Sequence, residues 1–176
     1  MSRYLMSKCC RCIIRGMQDR VDRLLDQWSR ERPELDCTGL GVVARVQMLA
    51  KRLERAAETA LNPLGLKMWE YDVLSALRRQ GHRYLMPATQ LAKEAMLSSG
   101  AMTNRIDRLE CRGLVVREPD PSDRRGVLVV LTESGKKLID DAIHARLGVA
   151  DCQLSMLDSN ERVAISDGLR KVMGDN

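Results

Sequence analysis

Residues Arg117 to Gly135, REPDPSDRRGVLVVLTESG, place two prolines, two aspartates, two arginines and a Gly in a short turn between two apolar runs. Arg124 and Arg125 then sit at the tip of a hairpin, where paired guanidinium groups on a thin projection suit an adjacent minor groove and its negative potential. Asp123 is expected to pair with a neighbouring arginine and hold the turn. Just upstream, LSSGAMTNRIDRLECRG reads as a helix of about fourteen residues, with Ser98 as N-cap and Gly113 just past the C-terminus. With Met102 set at 0° and about 100° added per residue, Ile106 and Leu109 fall within about 40° of it and form a buried ridge. Thr103, Asn104, Asp107 and Arg108 fall opposite. A hydroxyl, an amide and a guanidinium on one face are the groups that read base edges and phosphates in a major groove. Ser98, Ser99, Thr103, Asn104, Arg108, Arg124 and Arg125 are therefore the candidate nucleic-acid contacts. Any solvated helix face carries such residues; the adjoining arginine-tipped hairpin is what favours the nucleic-acid reading.

Arg105 differs from its neighbours. It lies about 60° from the buried ridge by the same arithmetic, so its guanidinium should point towards the protein body and meet an acidic or anionic partner. A static ion pair and a ligand contact both satisfy that requirement.

Other chemistry is poorly served. His82 and His144 are far apart, no phosphate-cradling Gly loop appears, and no nucleophile stands near a base, so an enzyme is not expected. The six cysteines, at 9, 10, 12, 37, 111 and 152, form no disulfide-like framework and are read as thiols of a reducing cytoplasm. The CCRC run of Cys9 to Cys12 has neither a partner pair nor a nearby His to complete a metal site. No stretch has the apolar length of a membrane span, and no secretion signal is evident, so a cytoplasmic location is expected. The net charge of +5, from 29 basic and 24 acidic residues, points only weakly to a polyanion.

The elements that must position these groups follow from periodicity. Residues 1–16 read as a basic tail; helix signals start only near Met17, and Val21, Leu24, Leu25 and Trp28 then recur at helical spacing up to Pro33. A long second helix runs from about Gly39 to Asn62, a third from Lys67 to Gln80, and a short fourth starts at Pro87. After the candidate recognition helix, LVVRE and VLVVL form a two-stranded hairpin. Thr132 caps a long helix, and Asp158 with Glu161 opens a last one. The expected division is a tail over 1–16, N-terminal helices over 17–62, a DNA-binding region over 63–131 and C-terminal helices over 132–176. A short helix pair followed directly by a hairpin is a winged helix-turn-helix.

DRRGVLVVLTESG, with LAKEAMLSSGAMTNRIDRLECRGLVVREPDPSDRRG before it, resembles the D-x-R…L-T-x-x-G wing of the multiple antibiotic resistance regulator (MarR) family, and the likeness runs from about Trp28 to Met173. The resemblance implies a mainly α fold with a small β-hairpin wing, set on an intertwined helical dimerisation scaffold. It further implies a homodimer on a pseudo-palindromic operator of double-stranded DNA, with no cofactor, released by a small molecule or an oxidant. DQWSRERPELD, EYDVLSALRR, SSGAMTNRIDRLE and GLVVRE are most similar to the PecS-type, urate-responsive branch. That likeness implies a ligand pocket of Trp28, Asp72, Arg105 and Arg117 for urate, xanthine or another planar anion, with Asp72 as the partner of Arg105. Relatives switched by a single oxidised cysteine offer an alternative, for which Cys37 or Cys111 would serve.

Overall fold

The computed structural model describes residues 18–174. The basic tail and the CCRC run fall outside the described residues. The described residues form two compact units, one that runs up to Arg55 and resumes at Cys152, and the other Ala56–Asp151. The helices are α1 (Arg20–Glu31), α2 (Thr38–Leu61), α3 (Met68–Arg78), α4 (Ala88–Glu94), α5 (Ser99–Cys111), α6 (Glu133–Gln153) and α7 (Ser159–Met173). The strands are β1 (Leu85–Pro87), β2 (Val115–Pro119) and β3 (Val127–Leu131).

In the first unit, Asp19 and Asp22 form a reciprocal capping box at the start of α1. Arg45 of α2 binds both carboxylates, with Nε 2.9 Å from Asp19 Oδ2 and Nη2 2.5 Å from Asp22 Oδ1. The Asp158 and Glu161 box starts α7, which buries none of its residues.

The second unit carries a continuous core in which Leu74, Leu77, Met86, Leu91, Met102, Ile106, Leu109, Val115, Val129 and Ile139 are all almost fully buried. Met102, Ile106 and Leu109 are the buried ridge of α5 that the helical period predicts. Ser98 caps α5 by accepting the Ala101 N–H at 3.3 Å, and Gly113 follows it at φ +67°, a conformation that glycine adopts without a steric penalty.

The expected hairpin is present as β2 and β3, and a third strand extends it to an antiparallel sheet in the order β1-β3-β2. Leu85, Met86 and Pro87 pair with Val130, Val129 and Leu128 along the other edge of β3. Three residues are too few to show strand alternation, and Pro87 serves twice, closing β1 and preceding the first residue of α4. β2 pairs with β3 from Val115 with Leu131 to Pro119 with Val127, so the hairpin stands on the core next to α5.

Candidate nucleic-acid interface and effector cleft

The tip of the hairpin is a compact backbone turn. Gly126 N–H donates to Asp123 O at 2.8 Å, and Asp120 N–H donates to Gly126 O at 3.1 Å. Asp120 Oδ1 accepts from Ser122 N at 2.8 Å and Ser122 Oγ at 2.6 Å, which holds its carboxyl below the usual carboxylate range. A Cβ on Gly126 would lie 2.8 Å from Asp120 Cβ and 3.0 Å from Asp123 Cβ, so only glycine fits between them. The expected Asp123–arginine ion pair is corrected: its carboxylate accepts the Arg125 backbone N–H at 2.9 Å. Short aspartate side chains are well placed to close a turn onto backbone donors, which leaves the guanidinium groups of Arg124 and Arg125 exposed.

On α5, Ser99, Thr103, Asn104 and Arg108 are exposed, and Thr103 Oγ1 donates to Ser99 O at 2.9 Å while keeping its acceptor capacity. A cleft of about 210 Å³ is lined by Thr89, Ser99 and Thr103 on one side and by Asp123, Arg125 and Gly126 on the other. The amino end of α5 and the wing thus share one concave surface.

Arg117 ties the two together. From β2 its Nη2 reaches Asp107 Oδ1 at 2.5 Å, its Nη1 pairs with Glu110, and its backbone N–H donates to Glu110 Oε1 at 3.2 Å. Two carboxylates on one face of α5 therefore absorb the guanidinium that the resemblance assigned to a ligand. At the far end of α5, Arg112 Nη1 lies 2.6 Å from Glu70 Oε1, and that carboxylate is only 6% exposed. Glu70 also accepts the Lys67 N–H at 2.8 Å, so one buried side chain fixes both the start of α3 and the end of α5.

A second cleft, of about 350 Å³, lies between α3, α4 and α5 and includes Asp72, Arg79, Glu94, Met96 and Arg105 in its wall. Burial is the largest influence on the Asp72 carboxyl and pushes it above its usual range; Arg105, Arg146 and Arg79 pull in the opposite direction. Residue 72 as a whole is nonetheless exposed. The expected Asp72–Arg105 ion pair is corrected, because no pair within 4.0 Å joins them. Arg105 instead rests over the Trp69 ring, 5.4 Å from its centroid. Ser75, buried one turn along from Asp72, accepts from Arg79 Nη1 at 3.2 Å and donates to Asp72 O at 3.1 Å, which orients Arg79 along α3.

Trp28 lies on α1 in the first unit with its side chain exposed, and Arg117 is not in the wall of this cleft. The sequence reading missed Arg79, Trp69 and Arg146. Arg79 was within reach, since Asp72 and Arg79 are seven residues apart, two turns along one face of a helix. Cys37 is half-buried, whereas Cys111 and Cys152 are exposed free thiols.

Comparison with known proteins fits this architecture. The model of the MarR family matches residues 66–127, the stretch from the start of α3 into β3. The transcriptional regulator PecS of Dickeya dadantii is 32% identical over 123 residues, which cover 70% of this chain and 74% of that protein. The chain belongs to the MarR family. This MarR-family regulator is similar in structure to a cysteine-to-serine variant of E. coli MarR in complex with operator DNA, with a TM-score of 0.67 and 25% identity over 82% of this chain and 96% of that one. It is also similar to BpsR of Bordetella bronchiseptica, whose DNA binding is regulated by 6-hydroxynicotinic acid, with a TM-score of 0.66 and 29% identity over 77% and 94% of the two chains. Like its family, the protein is a DNA-binding transcription regulator and not an enzyme. Among the described residues, no helix is long and apolar enough to cross a membrane.

Proposed function

We propose that this protein is a dimeric repressor that leaves a pseudo-palindromic operator when a small planar anion such as urate occupies the cleft at Asp72. The observation that carries the reading is that the recognition helix itself supplies a wall of that cleft: Arg105 faces it while Thr103, Asn104 and Arg108 remain exposed. Arg79, Arg105 and Arg146 outnumber the carboxylates of Asp72 and Glu94, so the site has a net attraction for an anion. An anion brought beside a carboxylate that burial already disfavours must displace it or protonate it. Either response acts on α3, and withdrawal of Arg105 from Trp69 acts on α5. Ligand and DNA then compete through α5 without sharing a surface.

Homodimerisation is supported by the apolar residues that a single chain leaves uncovered. Val42, Val43 and Val46 of α2, and Val163, Leu169 and Val172 of α7, are all exposed. Apolar faces of that extent call for a protein partner, and a second copy supplies matching faces by two-fold symmetry. Two copies of α5 would enter successive major grooves about 34 Å apart, which is the origin of the pseudo-palindrome.

The test is the ratio of operator Kd values with and without saturating urate, measured for native protein and Asp72→Asn. The native ratio is expected within about 5- to 150-fold, the usual range of allosteric coupling, and the variant ratio below about threefold. The pH dependence follows with a definite sign. A bound anion raises the Asp72 pKa further, so binding takes up protons and tightens as pH falls from the bound-state pKa to the free-state value, levelling off below it. Asp72→Asn removes that contribution, so the difference between the two pH profiles isolates it from the titration of urate. Equal coupling ratios in native protein and variant would remove Asp72 from the switch.

A further inference from the structure

The turn between α4 and α5 contains a residue that is doubly out of place. Met96 has φ +50°, in the left-handed region that glycine enters freely and that a side chain with a Cβ enters at a cost. It is also 92% exposed, although it is among the most apolar residues available. The conformation closes the end of α4, where Met96 N–H donates to Lys93 O at 3.1 Å and Leu97 N–H to Ala92 O at 2.9 Å; a glycine would serve that cap without the steric cost, so the cap does not require the Met side chain.

The wall of the Asp72 cleft shows what it could be used for. A planar aromatic ligand needs an apolar surface against its ring as well as cations for its charge. Of the large apolar residues in that wall, Val73 and Leu91 are 2% and 1% exposed and already packed into the core. Met96 alone among them is free to move onto a ligand. Its thioether is flexible and polarizable, and sulfur makes favourable contacts with aromatic rings.

We propose that Met96 is the apolar jaw of the effector cleft, folding onto the ring of a bound planar anion whose charge is held by Arg79 and Arg105. This rests on the effector reading of the cleft given above. Met96 stands two residues before Ser98, the N-cap of α5, so its movement acts on the start of the recognition helix. The jaw therefore sets affinity for flat ligands and links their capture to the helix that docks on DNA.

The experiment is calorimetric titration of urate into DNA-free protein, together with thermal unfolding, for the native chain and for Met96→Ala, Met96→Gly and Met96→Leu. Met96→Ala and Met96→Gly should weaken urate binding about three- to tenfold, the range of one sulfur–aromatic contact. Met96→Leu, which keeps an apolar reach, should stay within about twofold of native. Met96→Gly should also melt higher than the native protein, because it relieves the left-handed conformation. Weaker binding combined with greater stability is an outcome that a purely structural methionine would not give. If all three variants bind urate as the native chain does, the jaw is refuted while the effector cleft stands. If the native chain itself does not bind urate, both the jaw and the urate reading fall together.

Discussion

Gly135→Ala is expected to destabilise the protein by about 3 kcal/mol or more, a large share of the stability of a domain of this size. A Cβ at this position would lie 2.1 Å from Leu114 O, 3.0 Å from Leu114 C and 3.2 Å from Leu114 Cα. All three are backbone atoms, so no side chain can rotate away. The helix cannot retreat cheaply either. Thr132 N–H donates to Leu114 O at 3.1 Å, and the hydroxyls of Thr132 and Ser134 both donate to Gly113 O, at 2.7 and 2.8 Å. Thr132 Oγ1 also accepts the Gly135 N–H at 3.0 Å as the cap of α6. Moving α6 by the ångström that a methyl group requires would break this set, and each hydrogen bond lost adds about 0.5–1.5 kcal/mol. The measurement is the urea midpoint at one fixed protomer concentration, since the stability of an oligomer depends on it. A midpoint equal to that of the native chain would mean that α6 does not approach Leu114 this closely.

The second large effect is expected at the wing tip. Arg124→Ala combined with Arg125→Ala should weaken binding to operator and to unrelated duplex alike by about 10- to 100-fold at moderate salt. The slope of log K against log salt should fall by about one for each phosphate that the wing no longer neutralises. The turn itself should survive, because it is held by Asp120, Asp123 and Gly126 and not by the arginine side chains. Loss of discrimination between operator and unrelated duplex, with an unchanged salt slope, would instead place these arginines on base edges. Undiminished affinity would remove the wing tip from the interface.

Much of the second unit was legible in the sequence because its signals are local. The ridge of Met102, Ile106 and Leu109 follows from helical period alone, and Ser98, Gly113 and Thr132 are end signals that act within four residues, as is the Asp158–Glu161 box of the first unit. The L-T-x-x-G motif was visible as a pattern, but its last glycine has a reason only in three dimensions, the approach of Leu114. β1 escaped notice because it is stabilised by pairing with β3, more than forty residues away, and not by its own three residues.

The candidate site was legible in its residue types more than in its pairings. Asp72 and Arg105 do share a cleft, yet Arg105 rests on the Trp69 ring, and Arg117 is held by Asp107 and Glu110. Helical arithmetic gives the direction in which a side chain leaves the backbone. It cannot choose among the several partners that a long arginine side chain can reach once there. Arg79 and Met96 illustrate the same limit from opposite sides: one reaches the cleft through a buried serine, the other through a backbone conformation that no local pattern announces.

The central claim, a DNA-binding regulator released by a planar anion, is tested most directly by following the anisotropy of a labelled duplex from the protein's own upstream region at fixed salt. Native protein should bind it saturably, and added urate should reverse binding in a concentration-dependent way. Saturable binding that urate leaves unchanged would contradict the proposed effector, and failure to bind more tightly than an unrelated duplex would contradict the proposed operator.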